Sequence, residues 1–253
     1  MSLISNPIFK DKEFLISHIK SIMRFYHPRC IDNENGGFFQ HFRDDGSVYD
    51  FDTRHLVSST RFIFNYSMAS IELDNDEYKD VIRHGIEYLR QFHLNTKTGS
   101  YAWILEGKDV QDSTNYCYGF AFVLLAYSTA LRAGILEAKD FIDETFDVME
   151  KHFWSKEHEL YSDEISADWQ VVSSYRGQNA NMHSCEALIM AFEATGSQKY
   201  LDRALIIAKN ICNRQASLAE GLIWEHYDSN WEINWVYNKD RPDDLFRPWG
   251  FQV

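Results

Sequence analysis

The residues whose types and spacing could do chemistry are densest between Tyr175 and Ala194, in YRGQNANMHSCEALIMAFEA. His183 and Glu186 stand three residues apart, which on a helix places them on one face. Imidazole titrates near neutral pH, so one histidine can take a proton and return it. The segment carries almost no charge, and a helix that is apolar nearly all round is a buried helix. A histidine and a carboxylate at the mouth of such a helix need partners or a ligand. Asn179 and Asn181 stand just ahead of them, in a lead-in rich in Gly and Asn that reads as a loop. Glu193, near the far end, reads as structural.

Other ionisable groups on apolar segments are few. Arg61 is the only charge inside segment 54–72, between the Arg54-His55 that opens it and the Glu72 that closes it. Segment 115–132 has Tyr116 and Tyr118 in its first turns. Each has a plain structural role open to it: Arg61 could pair with a carboxylate of a neighbouring helix, and His183 could be a satisfied core histidine. The adjacent pairs Asp163-Glu164 and Asp243-Asp244 lie on loops and are expected to be solvated. Adjacency does not place two carboxylates across a glycosidic bond. No phosphate loop, G-x-S-x-G elbow or H-E-x-x-H helix occurs, so nucleotide, α/β-hydrolase and zincin chemistry have no motif behind them.

Composition narrows the class. The 253 residues are 45% hydrophobic and 15% aromatic, enough for a sizeable core. A net charge of −13 argues against nucleic acid and anionic membrane surfaces as partners. The longest apolar run, 116–131, is shorter than the ~18 residues of a membrane span. The first residues, MSLISNPIFKDKEF, lack the apolar core of a signal peptide, so a cytoplasmic protein is expected. Cys30, Cys117, Cys185 and Cys212 form no C-x-x-C pair and read as reduced, buried thiols.

Apolar periodicity predicts helices over 9–26, 54–72, 76–93, 115–132, 138–153, from 181 onward, and over 199–212. Alternation predicts hairpins over 36–50, turning at Asp45-Gly46, and over 99–112, turning at Glu106-Gly107. These elements repeat. An aromatic loop opens at Gly36, Gly99, Leu160 and Gly221, at spacings of 63, 61 and 61 residues. Each unit pairs a nearly uncharged helix with an amphipathic one, which fits an inner and an outer layer. The fold class expected is all-α, an (α/α)6 toroid or barrel with short β-hairpins on one rim, formed by residues 1–253 as one domain. Six such pairs need roughly 370 residues, so the chain reads as truncated after about four repeats.

Three stretches, RGQNANMHSCEA (176–187), YNKDRPDDLFRPWGFQV (237–253) and DTRHLVSSTRFIFNYS (52–67), resemble the N-acylglucosamine 2-epimerase superfamily, nearest the mannose and sulfoquinovose aldose–ketose isomerase branch. The resemblance implies an (α/α)6 barrel and sugar chemistry without metal or nicotinamide cofactor. It implies proton removal beside the sugar carbonyl by histidine, through an enediol. It assigns sugar contacts to Arg61, Tyr118, Asn179 and Arg247, and to His183 a part in opening the ring. Glu186 joins the substrate-binding set as the partner of His183. The family's principal acid/base histidines, one in a Gly-His-x-x-Glu motif, fall beyond Val253.

Three functions are therefore weighed. The first is a sugar isomerase acting on a mannose-like aldose, with a 2-epimerase of N-acylglucosamine or cellobiose as its variant. The second is a glycan hydrolase or lyase, which needs an acid and a base converging in one cleft, where only Glu186 is well placed. The third is a carbohydrate-binding or interaction module. Clustering of Arg61, Tyr118 and His183 around one pocket would count against the third.

Overall fold

The computed structural model describes residues 9–241 and 243–251. The first eight residues of the amino-terminal stretch, Pro242 and the last two residues of the 237–253 motif lie outside them. Seven α-helices are described: α1 (Lys12–Tyr26), α2 (Leu56–Glu72), α3 (Tyr78–Tyr88), α4 (Cys117–Arg132), α5 (Ala138–His152), α6 (Gln178–Thr195) and α7 (Gln198–Lys209). α2, α4 and α6 pack side by side as an inner layer, and α3, α5 and α7 each lie against their preceding inner helix. This is the two-layer helical hairpin architecture of an α/α toroid. Among the described residues it forms an open arc of three pairs preceded by α1, not a closed ring.

Position in the arc decides how much of each inner helix is covered. α4 lies between α2 and α6, and every residue from Gly119 to Ala130 is buried. Its apolar composition needs that environment. Gly119 allows the close approach, since a Cβ there would stand 2.9 Å from the Trp103 ring and 3.0 Å from Leu56. α6 was expected to be buried all round and is not. It buries Ala180, Asn181, Ser184, Ala187, Leu188 and Ala191, while Met182, Glu186 and Ile189 are exposed. The reason is geometric: α4 covers one flank and α7 the back, and no described element packs on the other flank.

The helix starts differ from the sequence reading in a way that shapes the site. Thr53–His55 is a strand pairing with Ile104–Glu106, so Arg54 and His55 precede α2 instead of opening it. Arg54 is buried and ion-paired with Asp32 at 2.9 Å. Asn115–Tyr116 is a strand pairing with Glu164–Ile165. α6 begins at Gln178, so Asn179 is helical, one turn ahead of His183. The hairpins turn where expected, with His41–Phe42 on Val48–Asp50 and Ile104–Glu106 on Asp109–Asp112. Ser100–Tyr101, however, pairs back to Leu94–Asn95. α3 and α7 each end in a π-helical turn, Leu89–His93 and Asn210–Gln215.

Ion pairs stitch the outer helices at the period of the repeat. Arg83 and Arg90 on α3 and its π turn reach Glu137 and Glu144 beside and on α5, at 3.2 and 3.0 Å. On the next step, Arg203 of α7 bonds both oxygens of Glu150, and Lys199 meets Asp143 at 2.6 Å. All four cysteines are free; Cys30 and Cys117 are buried as expected, but Cys212 is exposed. No described helix is long and apolar enough to cross a membrane.

Candidate active site

A cavity of ≈ 460 Å³ opens where the inner helices begin. The three inner helices contribute to it from their lead-ins and first turns, and the rim loops supply the rest. His55, Ser58 and Arg61 come from α2 and its lead-in, and Tyr116 and Tyr118 from α4 and its lead-in. Tyr175 and Asn179 come from α6 and its lead-in. Trp103, Asp163 and Glu225 come from successive rim loops, and Phe246 and Arg247 from the last one. One wall is aromatic: Trp103 packs at 4.4 Å from both His55 and Tyr116, and Phe246 meets Tyr116 edge-on at 6.0 Å. Ring faces of this kind offer apolar surface to the C–H side of a polyhydroxylated ligand, while the polar groups address its oxygens.

The sequence-derived candidates divide between two adjoining hollows. Arg61, Tyr118, Asn179 and Arg247 line the main cavity. His183 and Glu186 line a smaller one of ≈ 300 Å³, with Arg61 common to both. The cluster is tight. Arg61 Nη2 donates to Tyr118 Oη at 3.4 Å, and its guanidinium lies 4.7 Å from the Phe122 ring centre. Tyr118 and Phe122 stand 5.1 and 4.8 Å from the His183 ring. Arg61 forms no ion pair with a carboxylate among the described residues.

His183 Nδ1 and Glu186 Oε2 lie 2.8 Å apart. An ionised carboxylate only accepts, so Nδ1–H is the donor and Nε2 carries the lone pair of the neutral ring. Glu186 thus orients His183 and sets its tautomer. The His183 side chain is 20% exposed and that of Glu186 53%, so the pair is open to solvent at the smaller hollow. Arg247 is held differently: its guanidinium stacks 3.8 Å over the Tyr175 ring, and Nη2 bonds Glu164 Oε2 at 3.1 Å.

Asp163 and Glu225 were not among the candidates, and Asp163 was expected to be solvated. It is 7% exposed and Glu225 8%. The rim loop turns successive residues to opposite sides, so Glu164 reaches Arg247 while Asp163 points inward. Asp163 Oδ2 accepts from Gly177 N at 2.6 Å. Glu225 accepts from Gln178 Nε2 at 3.1 Å and from Asn179 N at 3.4 Å. Burial pushes Asp163 up to about 7, and burial with the nearby Asp163 charge pushes Glu225 up to about 8. Asp244, of the other adjacent pair, caps its own turn by accepting from Phe246 N and Arg247 N.

His226 was also missed. Its Nε2 lies 2.8 Å from Pro248 O, which can only accept, so Nε2 carries the hydrogen. Nδ1 then accepts from Tyr175 Oη at 3.0 Å. Burial holds His226 below the usual imidazole range, in keeping with a neutral ring. The signal available for these residues was the recurrence of the rim loop itself. Glu225 and His226 follow Gly221 where Trp103 and Ile104 follow Gly99.

The profile of the N-acylglucosamine 2-epimerase family matches residues 37–252. A D-mannose isomerase from Marinomonas mediterranea is 58% identical over 250 residues, covering 98% of this chain and 63% of that protein. The crystal structure of a D-mannose isomerase superposes with a TM-score of 0.95 at 59% identity, covering 98% of this chain and 63% of its own. A cellobiose 2-epimerase from Ruminococcus albus is 26% identical over 185 residues, or 68% of this chain and 47% of the epimerase. The chain thus spans less than two thirds of the length of the relatives it matches.

Proposed function

The chain belongs to the N-acylglucosamine 2-epimerase family, and on that premise we propose that the protein carrying it interconverts a mannose-like aldose with its 2-ketose. The observation that carries the reading is the convergence of Arg61, Tyr118 and the His183–Glu186 pair at the edge of a sugar-sized cavity. The 58% identity to a D-mannose isomerase supports the choice of reaction.

The chemistry follows from the groups present. Opening a pyranose moves a proton from the anomeric hydroxyl to the ring oxygen, and in this reading His183 Nε2 accepts that proton. Isomerisation then removes the C2 proton of the open aldose, forms an enediol, and returns a proton at C1. Arg61 and Arg247 supply fixed N–H donors for the oxygens on which charge develops. Asn179, near the start of α6, offers a buried Oδ1 without a protein partner to a substrate hydroxyl.

The test is NMR of D-mannose, D-glucose, D-fructose and N-acetylmannosamine incubated in D2O with the protein that carries this chain. Conversion of mannose to fructose with deuterium entering at C1 or C2 is expected. Exchange at C2 that returns only the epimeric aldose would favour the 2-epimerase reading, which the likeness to cellobiose 2-epimerases supports. Absence of exchange at either carbon would exclude both for these sugars.

A further inference from the structure

Two rim carboxylates and a phenol converge where α6 begins. The position a Cβ would take on Gly177 lies 2.8 Å from Tyr175 Oη, 3.0 Å from Asp163 Oδ1 and 3.1 Å from Glu225 Oε1. That brings the carboxylates within the ~4–6 Å over which like charges oppose each other's ionisation. The nearby guanidiniums are engaged elsewhere: Arg247 pairs with Glu164, and Arg176 Nη1 donates to Ser173 O and Tyr175 O. Tyr175 cannot relieve the pair, because its hydroxyl proton goes to His226 Nδ1. Its oxygen therefore faces the same point as a third acceptor. The point itself is taken by a Cα–H of Gly177, which neutralises nothing, so two buried carboxyls this close cannot both ionise at low cost and call for a proton.

We propose that Asp163 and Glu225 share one proton at the start of α6 and act as a single positioning unit for the cavity above it. The unit grips the helix start at three places. Asp163 Oδ2 accepts from Gly177 N at 2.6 Å. Glu225 accepts from Asn179 N at 3.4 Å and from Gln178 Nε2 at 3.1 Å. Asn179 and, one turn on, His183 take their places from this start, so both sides of the site depend on it. The raised ionisation ranges of both carboxyls agree with a shared proton. Among the other groups nearby, Glu164 adds repulsion, Arg176 and Arg247 moderate it, and Cys117 stays a thiol because burial raises it. His226 is neutral and adds none. The effect on a sugar rests on the function proposed above; the shared proton does not.

The experiment has two arms on the protein that carries this chain. In the first, 13C NMR follows the Asp163 and Glu225 carboxyls against pH, together with the Gly177 and Asn179 amide signals. One proton leaving the pair in the neutral range, with both amides moving in step, is expected. In Glu225→Gln the Asp163 midpoint falls, because the second charge is gone while an amide N–H takes the place of the shared proton. Both carboxyls ionising below about pH 5, as solvated ones do, or amides that stay still, would overturn the proposal. In the second arm, Glu225→Ala raises KM for mannose by about tenfold, while Glu225→Gln keeps more of the affinity. Equal losses in Ala and Gln would overturn the positioning role. A parent protein inert toward every sugar would defeat the function proposed above and leave the first arm's answer intact.

Discussion

At the scale of single residues, the candidate chemistry rests on side chains that fix one another's protons. Glu186 takes the Nδ1 hydrogen of His183 and so leaves Nε2 as the ring's acceptor. Replacing His183 with Ala should lower the mannose exchange rate by roughly 10²–10⁴-fold, the usual worth of a placed acid or base. Glu186→Ala should cost less, about tenfold, because the ring remains but its tautomer is no longer set. Equal losses in the two variants, read by deuterium entry at C1 and C2, would count against this division of roles. Glu225 gives a second test at this scale. Its carboxyl is pushed up to about 8 when folded, whereas an unfolded glutamate ionises near ~4.3. The folded state therefore holds a proton that the unfolded chain releases. The stability this confers is complete below about pH 4 and is lost as pH rises through about 8. Glu225→Gln removes that loss, so thermal melts should place the variant above the parent at pH 9 and level with it near pH 5.

At the scale of elements, the start of α6 is the sensitive point. Gly177 precedes the helix with extended backbone, so conformation alone would admit another residue. Space does not. A methyl group would press on Tyr175 Oη, Asp163 Oδ1 and Glu225 Oε1 together. Gly177→Ala should therefore destabilise by about 1–3 kcal/mol, the usual cost of overpacking, and should weaken sugar binding through Asn179. Denaturant melts and a KM measurement check the two halves. The comparison is Gly107→Ala, where nothing lies within 4 Å and only the positive φ of 62° is strained. That change should disturb stability without changing KM.

At the scale of the whole molecule, the layers are held by an apolar inner wall and by ion pairs that repeat along the outer one. These pairs are not equivalent. Arg203 stacks 3.4 Å over the Trp154 ring and bonds both oxygens of Glu150, which also accepts from Tyr161 Oη at 2.5 Å. Arg83 and Glu137 meet in solvent. Arg203→Ala should cost about 2–3 kcal/mol, since it strips a half-buried carboxylate of its charge partner. Arg83→Ala should cost under about 1 kcal/mol and less still at high salt. Urea melts at low and high ionic strength separate the two.

Much of this was readable from the chain itself. Helical periodicity and a recurring aromatic loop specify paired helices in two layers, because burying an apolar stripe is a local demand that each segment states for itself. Arg61, Tyr118, Asn179 and His183 were legible as candidate polar groups near the starts of apolar helices, and Arg247 only through the family resemblance of its loop. Tertiary structure alone decided the rest. Asp163, beside Glu164 in sequence, looked solvated; a rim strand turned one inward and the other onto Arg247. Glu225 and His226 became part of the site only because the fourth rim loop folds against the start of α6. α6 itself, apolar in sequence, bares one flank because burial is settled by neighbours and not by composition. A side chain's ionisation depends on the charges and the water within a few ångströms, and those are set by residues dozens of positions away.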